Sequence, residues 1–185
     1  MRKGHAECQA AADFAELLSA TGCRLSEANQ LRWQDVDPER ERLLIHGAKG
    51  RATSSNSAIR YLPFTAPLAA LLARLRKPES KPTDPICTVR ECRGTMQRAC
   101  VGLGLPRKLD HHDLRHAFAT RAIARGIPIP IVSDWLGHKD GGALLLKTYR
   151  HEQPEVSREW AQKMNEDAPA IPVGGAGATG SQDHN

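Results

Sequence analysis

Only two short runs in this chain alternate as strands do: Arg42-Leu43-Leu44-Ile45-His46 and Ala58-Ile59-Arg60-Tyr61-Leu62. Helical periodicity surrounds them on both sides. Two neighbouring strand patterns can pair only with each other, so they limit the chain to a hairpin or a small antiparallel sheet. The segment between them, Gly47-Ala48-Lys49-Gly50-Arg51 followed by Ser and Asn residues, has turn chemistry. The expected fold is mainly α with a small antiparallel β-sheet, an α+β class.

The helical patterns follow in order. Ala10 to Ala20 places Ala11, Phe14, Ala15 and Leu18 on one face. Gly22 breaks this helix. Ser26 is a suitable N-cap for a short second helix over Glu27–Trp33, with Ala28, Leu31 and Trp33 apolar. Gln34 to Pro38 reads as a turn. Pro67–Lys77 is amphipathic, with Leu68, Leu71, Leu72 and Leu75 inward. Pro78–Pro85 is a loop and Val89–Val101 a helix. Leu109-Asp110 opens the main helix, which runs to about Ala124 and stops at Gly126. Pro128 and Pro130 start a short helix over Ile129–Leu136. Ala143–Tyr149 and Glu155–Met164 complete the set. The last helix carries an apolar stripe of Val156, Trp160 and Met164. The composition places one domain over residues 1–165 and a Gly/Pro/Ala-rich disordered tail over 166–185.

Charge narrows the partners. The 185 residues carry a net charge of +5, unevenly spread. Residues 1–150 hold 24 Lys/Arg against 15 Asp/Glu, and residues 151–185 hold 2 against 6. A basic body with an acidic tail suits a polyanion. No stretch approaches the roughly 20 apolar residues of a membrane span, and the N-terminus lacks the apolar core of a signal peptide. A cytoplasmic location follows as an expectation. The five cysteines, Cys8, Cys23, Cys87, Cys92 and Cys100, are odd in number and form no C-x-x-C pair. They read as free thiols, mostly buried.

A set of polar residues recurs in a telling order: Thr21-Gly22-Cys23-Arg24-Leu25-Ser26-Glu27, then His112-Asp113-Leu114-Arg115-His116, then Leu136-Gly137-His138, then Tyr149. Two arginines, two histidines, a lysine and a tyrosine can together attack a phosphodiester. Such a reaction needs a nucleophile, positive charge for the non-bridging oxygens, and a proton for the leaving oxygen. The arginine fork binds two phosphate oxygens and stays charged. Two arginines can take the place of the metal ions used by other phosphoryl-transfer enzymes. A tyrosine, with a free pKa of about 10, attacks once nearby cations favour its phenolate. Its ester keeps the energy of the broken bond, so no nucleotide cofactor is called for, and no metal.

These residues resemble the tyrosine recombinase (phage integrase) family. Arg24 lies in a Thr-Gly-x-Arg-x-Ser-Glu segment. Lys49 falls in the predicted hairpin. His112 and Arg115 form His-x-x-Arg, followed by His116-Ala117-Phe118-Ala119-Thr120. His138 ends Leu-Gly-His, and Tyr149 is followed closely by His151. The resemblance covers about residues 10 to 160. It implies a site-specific recombinase or integrase catalytic domain of a mobile element or a related system, with a tyrosine recombinase-like fold. It also implies the roles. Tyr149 forms a 3′-phosphotyrosyl link, Arg24 and Arg115 clamp the phosphate, and Lys49 protonates the 5′-oxygen. His112 assists proton transfer and His138 hydrogen-bonds the phosphate. The implied partners are double-stranded DNA and further copies in a synaptic tetramer. Family members carry a separate helical domain ahead of the catalytic one; about nine residues precede the first predicted helix here, so that core-binding domain is expected to be absent.

Other readings compete. Arg51 is the fallback cation for Lys49. His111 lacks the spacing to Arg115, and His116 reads as structural. Glu27 reads as a capping side chain, and Tyr61 as a core residue of its strand. His112 and His116 also have the spacing of two zinc ligands, with His138 as a third, but the metalloprotease form needs Glu where Asp113 stands. A catalytically inactive DNA-binding fragment is the alternative within the family. The motifs do not separate phage integration from transposon movement or chromosome-dimer resolution.

Overall fold

The computed structural model describes residues 2–47, 59–138, 142, 143, 145 and 147. These all fall within one compact unit, Met1–Lys147. The elements are α1 (Arg2–Thr21), α2 (Leu25–Ala28), a 3₁₀ turn (Trp33–Asp35), β1 (Val36–Asp37), β2 (Arg42–His46) and β3 (Ile59–Pro63). Then come α3 (Ala66–Leu75), α4 (Arg93–Gly102), α5 (His111–Ala124) and α6 (Ile129–Leu136). The class is the predicted one: helices around a small antiparallel sheet in the order β1-β2-β3. The predicted boundary at residue 165 and the Glu155–Met164 helix lie outside the described residues. Of Ala143–Tyr149, the described residues Ala143, Leu145 and Lys147 are helical.

Helix α1 is the central element and packs against α3, α4 and α5. Its apolar residues recur at helical spacing, and Ala11, Phe14, Leu17 and Leu18 are buried. Ala15, predicted to share this face, sits at its margin. Leu68, Leu71 and Leu72 of α3 close the core from one side. The sheet supplies Leu43, Ile45 and Leu62 from a single face, as strand alternation requires. Leu43 stands opposite Leu62, and Ile45 opposite Arg60. A fully buried leucine or phenylalanine of this kind contributes about 1.5–3 kcal/mol.

Helix α1 begins at Arg2, well before the expected Ala10, and between Leu25 and Pro63 the structure departs from expectation in three further ways. First, the second helix stops after one turn at Ala28. Arg32 is extended and bridges Pro85, and the residues on either side of it are held to the same 82–86 loop. The Trp33 and Gln34 amides donate to the Asp84 and Pro82 carbonyls at 3.1 and 2.8 Å, and the Ile86 amide donates to the Leu31 carbonyl at 3.1 Å. Leu31 and Trp33 are buried as predicted, but by this pairing rather than on a helix face. Second, the predicted turn at Gln34–Pro38 contains the third strand, β1, which pairs Val36 with Leu43. Third, Tyr61 is not a core residue. It is 48% exposed, and the Arg42 guanidinium lies 4.2 Å over its ring. It occupies the outward phase of β3, one residue before buried Leu62.

The cysteines match expectation: Cys23, Cys92 and Cys100 are buried and all five are free thiols. Burial pushes the Cys23 thiol up to about 11, so it is packing rather than a nucleophile. No described helix is long and apolar enough to cross a membrane.

Candidate active site

Arg115 draws the predicted motifs together. It lies in the second turn of α5 and is 6% exposed. One terminal nitrogen donates to the Gly22 carbonyl at 2.6 Å and the other to the Leu136 carbonyl at 2.8 Å. Gly22 stands two residues before Arg24, and Leu136 two residues before His138. One side chain thus ties three motifs that are far apart in sequence. A guanidinium has five N–H donors, so these two bonds leave others for a ligand oxygen. Burial, and then the charge of Arg24, pull the Arg115 pKa down to about 10. It remains a cation at neutral pH.

Gly22 permits this closeness. It has φ +62, a left-handed conformation that glycine adopts without strain. A Cβ there would lie 2.7 Å from the Phe118 ring and 2.8 Å from Leu136. Arg24 follows as the N-cap of α2, with its side chain 44% exposed. Its amide donates to Glu27 Oε2 at 2.9 Å, and its guanidinium donates to Oε1 at 3.0 Å. The N-cap is therefore Arg24 and not the predicted Ser26. Glu27 does cap, as expected, but it is buried and does more.

The added partner is Arg60 on β3. Its terminal nitrogens donate to Glu27 Oε1 and Oε2 at 3.1 and 2.7 Å, and its Nε donates to the Trp135 carbonyl at 2.7 Å. Burial works against the Glu27 charge, but the bonds and charge of Arg60 and the bonds from Arg24 outweigh it. The carboxyl is held below its ordinary range. No family motif pointed to Arg60. Strand alternation could have done so, because Arg60 shares the phase of buried Leu62.

The histidines divide. His112 is exposed in the first turn of α5, where its amide donates to Asp110 Oδ1 at 2.8 Å. Asp110 and Asp113 cap this helix reciprocally: the Asp113 amide donates to Asp110 at 3.2 Å, and the Asp110 amide to Asp113 at 2.7 Å. His111 is buried, with Nε2 2.9 Å from Glu91 Oε1, which agrees with setting it aside. His116 is exposed. His138 follows Gly137, whose φ of +67 ends α6 in the left-handed conformation and turns the chain back. Its amide donates to the Ser133 carbonyl at 3.0 Å. Lys49, Arg51 and Tyr149 lie outside the described residues. Among the described residues, no three His, Cys, Asp or Glu side chains come close enough to share a metal ion.

Known structures define the class. The integrase of transposon Tn1549, solved in complex with circular intermediate DNA, matches with a TM-score of 0.61 at 21% identity. That match covers 82% of this chain and 59% of the other. The XerH recombinase bound to its difH substrate matches with a TM-score of 0.57 at 22% identity, over 82% of this chain and 46% of the other. The fold is that of tyrosine recombinase catalytic domains. Residues 4–155 match the phage integrase family, and the chain belongs to that family. Among curated relatives, the prophage integrase IntF of Escherichia coli K12 is 29% identical over 83% of this chain and 33% of its own length. The tyrosine recombinase XerC of Pediococcus pentosaceus is 29% identical over 80% of this chain and 52% of its own length. The chain thus spans between a third and about half of these two relatives.

Proposed function

We propose that this chain is the strand-cleaving and rejoining domain of a site-specific DNA recombinase, working through a 3′-phosphotyrosyl intermediate. The observation that carries the reading is the Arg115 tie, which brings the Arg24 turn and the His138 turn to one buried guanidinium. An oxygen-rich, negatively charged group is the ligand this cluster suits. The cluster sets three guanidiniums against one carboxylate, and a phosphodiester gains negative charge on its equatorial oxygens as it is attacked.

The roles are those that membership of the phage integrase family implies for the matching residues. Arg24, half exposed at the head of α2, and the buried Arg115 receive the non-bridging oxygens. His138 adds a hydrogen bond. The Tyr149 phenol oxygen attacks phosphorus, a new P–O bond forms, and the bond to the 5′-oxygen breaks. Lys49 gives that oxygen its proton, and His112 assists the transfer from the phenol. Attack by the freed 5′-hydroxyl reverses each step and rejoins the strand. The arginines supply the positive charge, so the proposed reaction uses no metal and no nucleotide. Duplex DNA is the proposed partner, with synapsis in a tetramer of such chains, within the cytoplasm. Residues 1–165 form the proposed catalytic domain.

The alternative within the family is a chain that binds DNA without cutting it. A duplex with a nick beside the cleavage position separates the two. Cleavage there releases a short piece and traps the covalent adduct. Formation of that adduct, and its loss in Tyr149→Phe with DNA affinity retained, supports the enzyme. Binding without any adduct supports the alternative.

A further inference from the structure

Arg60 is a buried arginine that the motif set leaves unexplained. It lies on β3, with its side chain only 11% exposed, and each of its three nitrogens is committed to a partner. A Cβ on Gly137 would stand 3.0 Å from one terminal nitrogen, so the glycine lets the guanidinium lie against the turn that leads to His138. Three elements meet on this one side chain: the sheet, α2 through Glu27, and the end of α6.

Charge partition explains what this does. Glu27 is three residues beyond Arg24 and already touches its guanidinium at 3.0 Å. Were these two alone, carboxylate and guanidinium would satisfy each other, leaving little positive charge for a ligand. The Arg60 fork instead spans both carboxylate oxygens, a bidentate arrangement that lysine cannot reproduce. Arg24 keeps a single shared oxygen and remains half exposed. We propose that Arg60 is a positioning residue of the phosphate site: by bonding both oxygens of Glu27 it takes up most of the carboxylate charge, so that Arg24, held at one shared oxygen, keeps its other N–H donors and its positive charge for a DNA phosphate, and by its bond to the Trp135 carbonyl it holds the His138 turn against the same cluster. Arg60 itself does not reach the DNA. The proposal rests on the reading of Arg24 as a phosphate ligand given above.

The test is the salt dependence of binding to a short duplex, measured on the whole chain. Each phosphate contact contributes about 0.9 to the slope of log K against log salt. Arg60→Met should lower that slope by about one contact, because the whole Glu27 charge then falls on Arg24, which already bonds one of its oxygens. The double variant Arg60→Met/Glu27→Gln should restore it, because the neutral amide still accepts from the Arg24 amide but no longer holds its charge. A role confined to holding the fold would not be rescued by the second substitution. If Arg60→Met does not fold, Arg60→Lys carries the test, since one ammonium cannot span both oxygens and the slope should still fall. An unchanged slope in the folded single variant, or a double variant as impaired as Arg60→Met, overturns the inference. If Arg24→Ala leaves the slope of the unaltered chain unchanged, the phosphate reading of Arg24 fails, and the inference fails with it.

Discussion

Arg115 is the residue on which the site closes, and its geometry sets a demand that charge alone cannot meet. Lysine carries the same charge but cannot donate to the Gly22 and Leu136 carbonyls at once. Arg115→Lys should therefore lose DNA cleavage at least a hundredfold and lower the melting temperature, because a hydrogen bond from a charged donor is worth about 1.5–3 kcal/mol. Retention of full cleavage would mean that the tie is incidental. Gly22→Ala should destabilise by about 2–4 kcal/mol, combining a left-handed backbone with overpacking against Phe118, as a thermal melt would show. Glu27 makes a prediction about acid. Its folded pKa is depressed, so its contribution to stability is complete above the unfolded carboxyl value of about 4.3. That contribution is lost as the pH falls from there through the folded pKa. Wild-type stability should drop over that window, and Glu27→Gln should flatten the drop. An equally steep drop in Glu27→Gln would assign the acid sensitivity to other carboxylates.

Among the elements, the helices with local start and stop signals were the most legible. Asp110 and Gly126 bracket α5, and Pro128 and Pro130 open α6. Removing the double acceptor in Asp110→Ala should cost about 1 kcal/mol and shift His112, whose amide Asp110 holds. Chemical denaturation would measure it, and an unchanged midpoint would show that the cap is dispensable. The signals failed where long-range pairing decided the outcome. Leu31 and Trp33 recur as they would on a helix, yet the chain there pairs with residues 82–86, which no local pattern announces. Strand β1 was hidden because two residues carry too little alternation to register. The arginine and histidine motifs were readable because each is a short run of special chemistry. Strand phase marks Arg60 as inward, but its role was not readable, because its partners Glu27 and Trp135 lie 33 and 75 residues away.

At the scale of the whole molecule, the proposed function needs a basic body, a phosphate site and a tyrosine nucleophile. The chain contains two tyrosines, Tyr61 and Tyr149. Tyr61 is exposed beside Arg42, so burial does not remove it as a rival. The decisive measurement is therefore the site of attachment. The chain is incubated with a nicked duplex in excess chelator, the trapped adduct is digested with nuclease and protease, and the modified peptide is sequenced by mass spectrometry. The expected product is a nucleotide joined through its 3′-phosphate to Tyr149, unchanged in a Tyr61→Phe variant. A nucleotide on Tyr61, a 5′-phosphate link, or an adduct that forms only when a divalent ion is restored would contradict it.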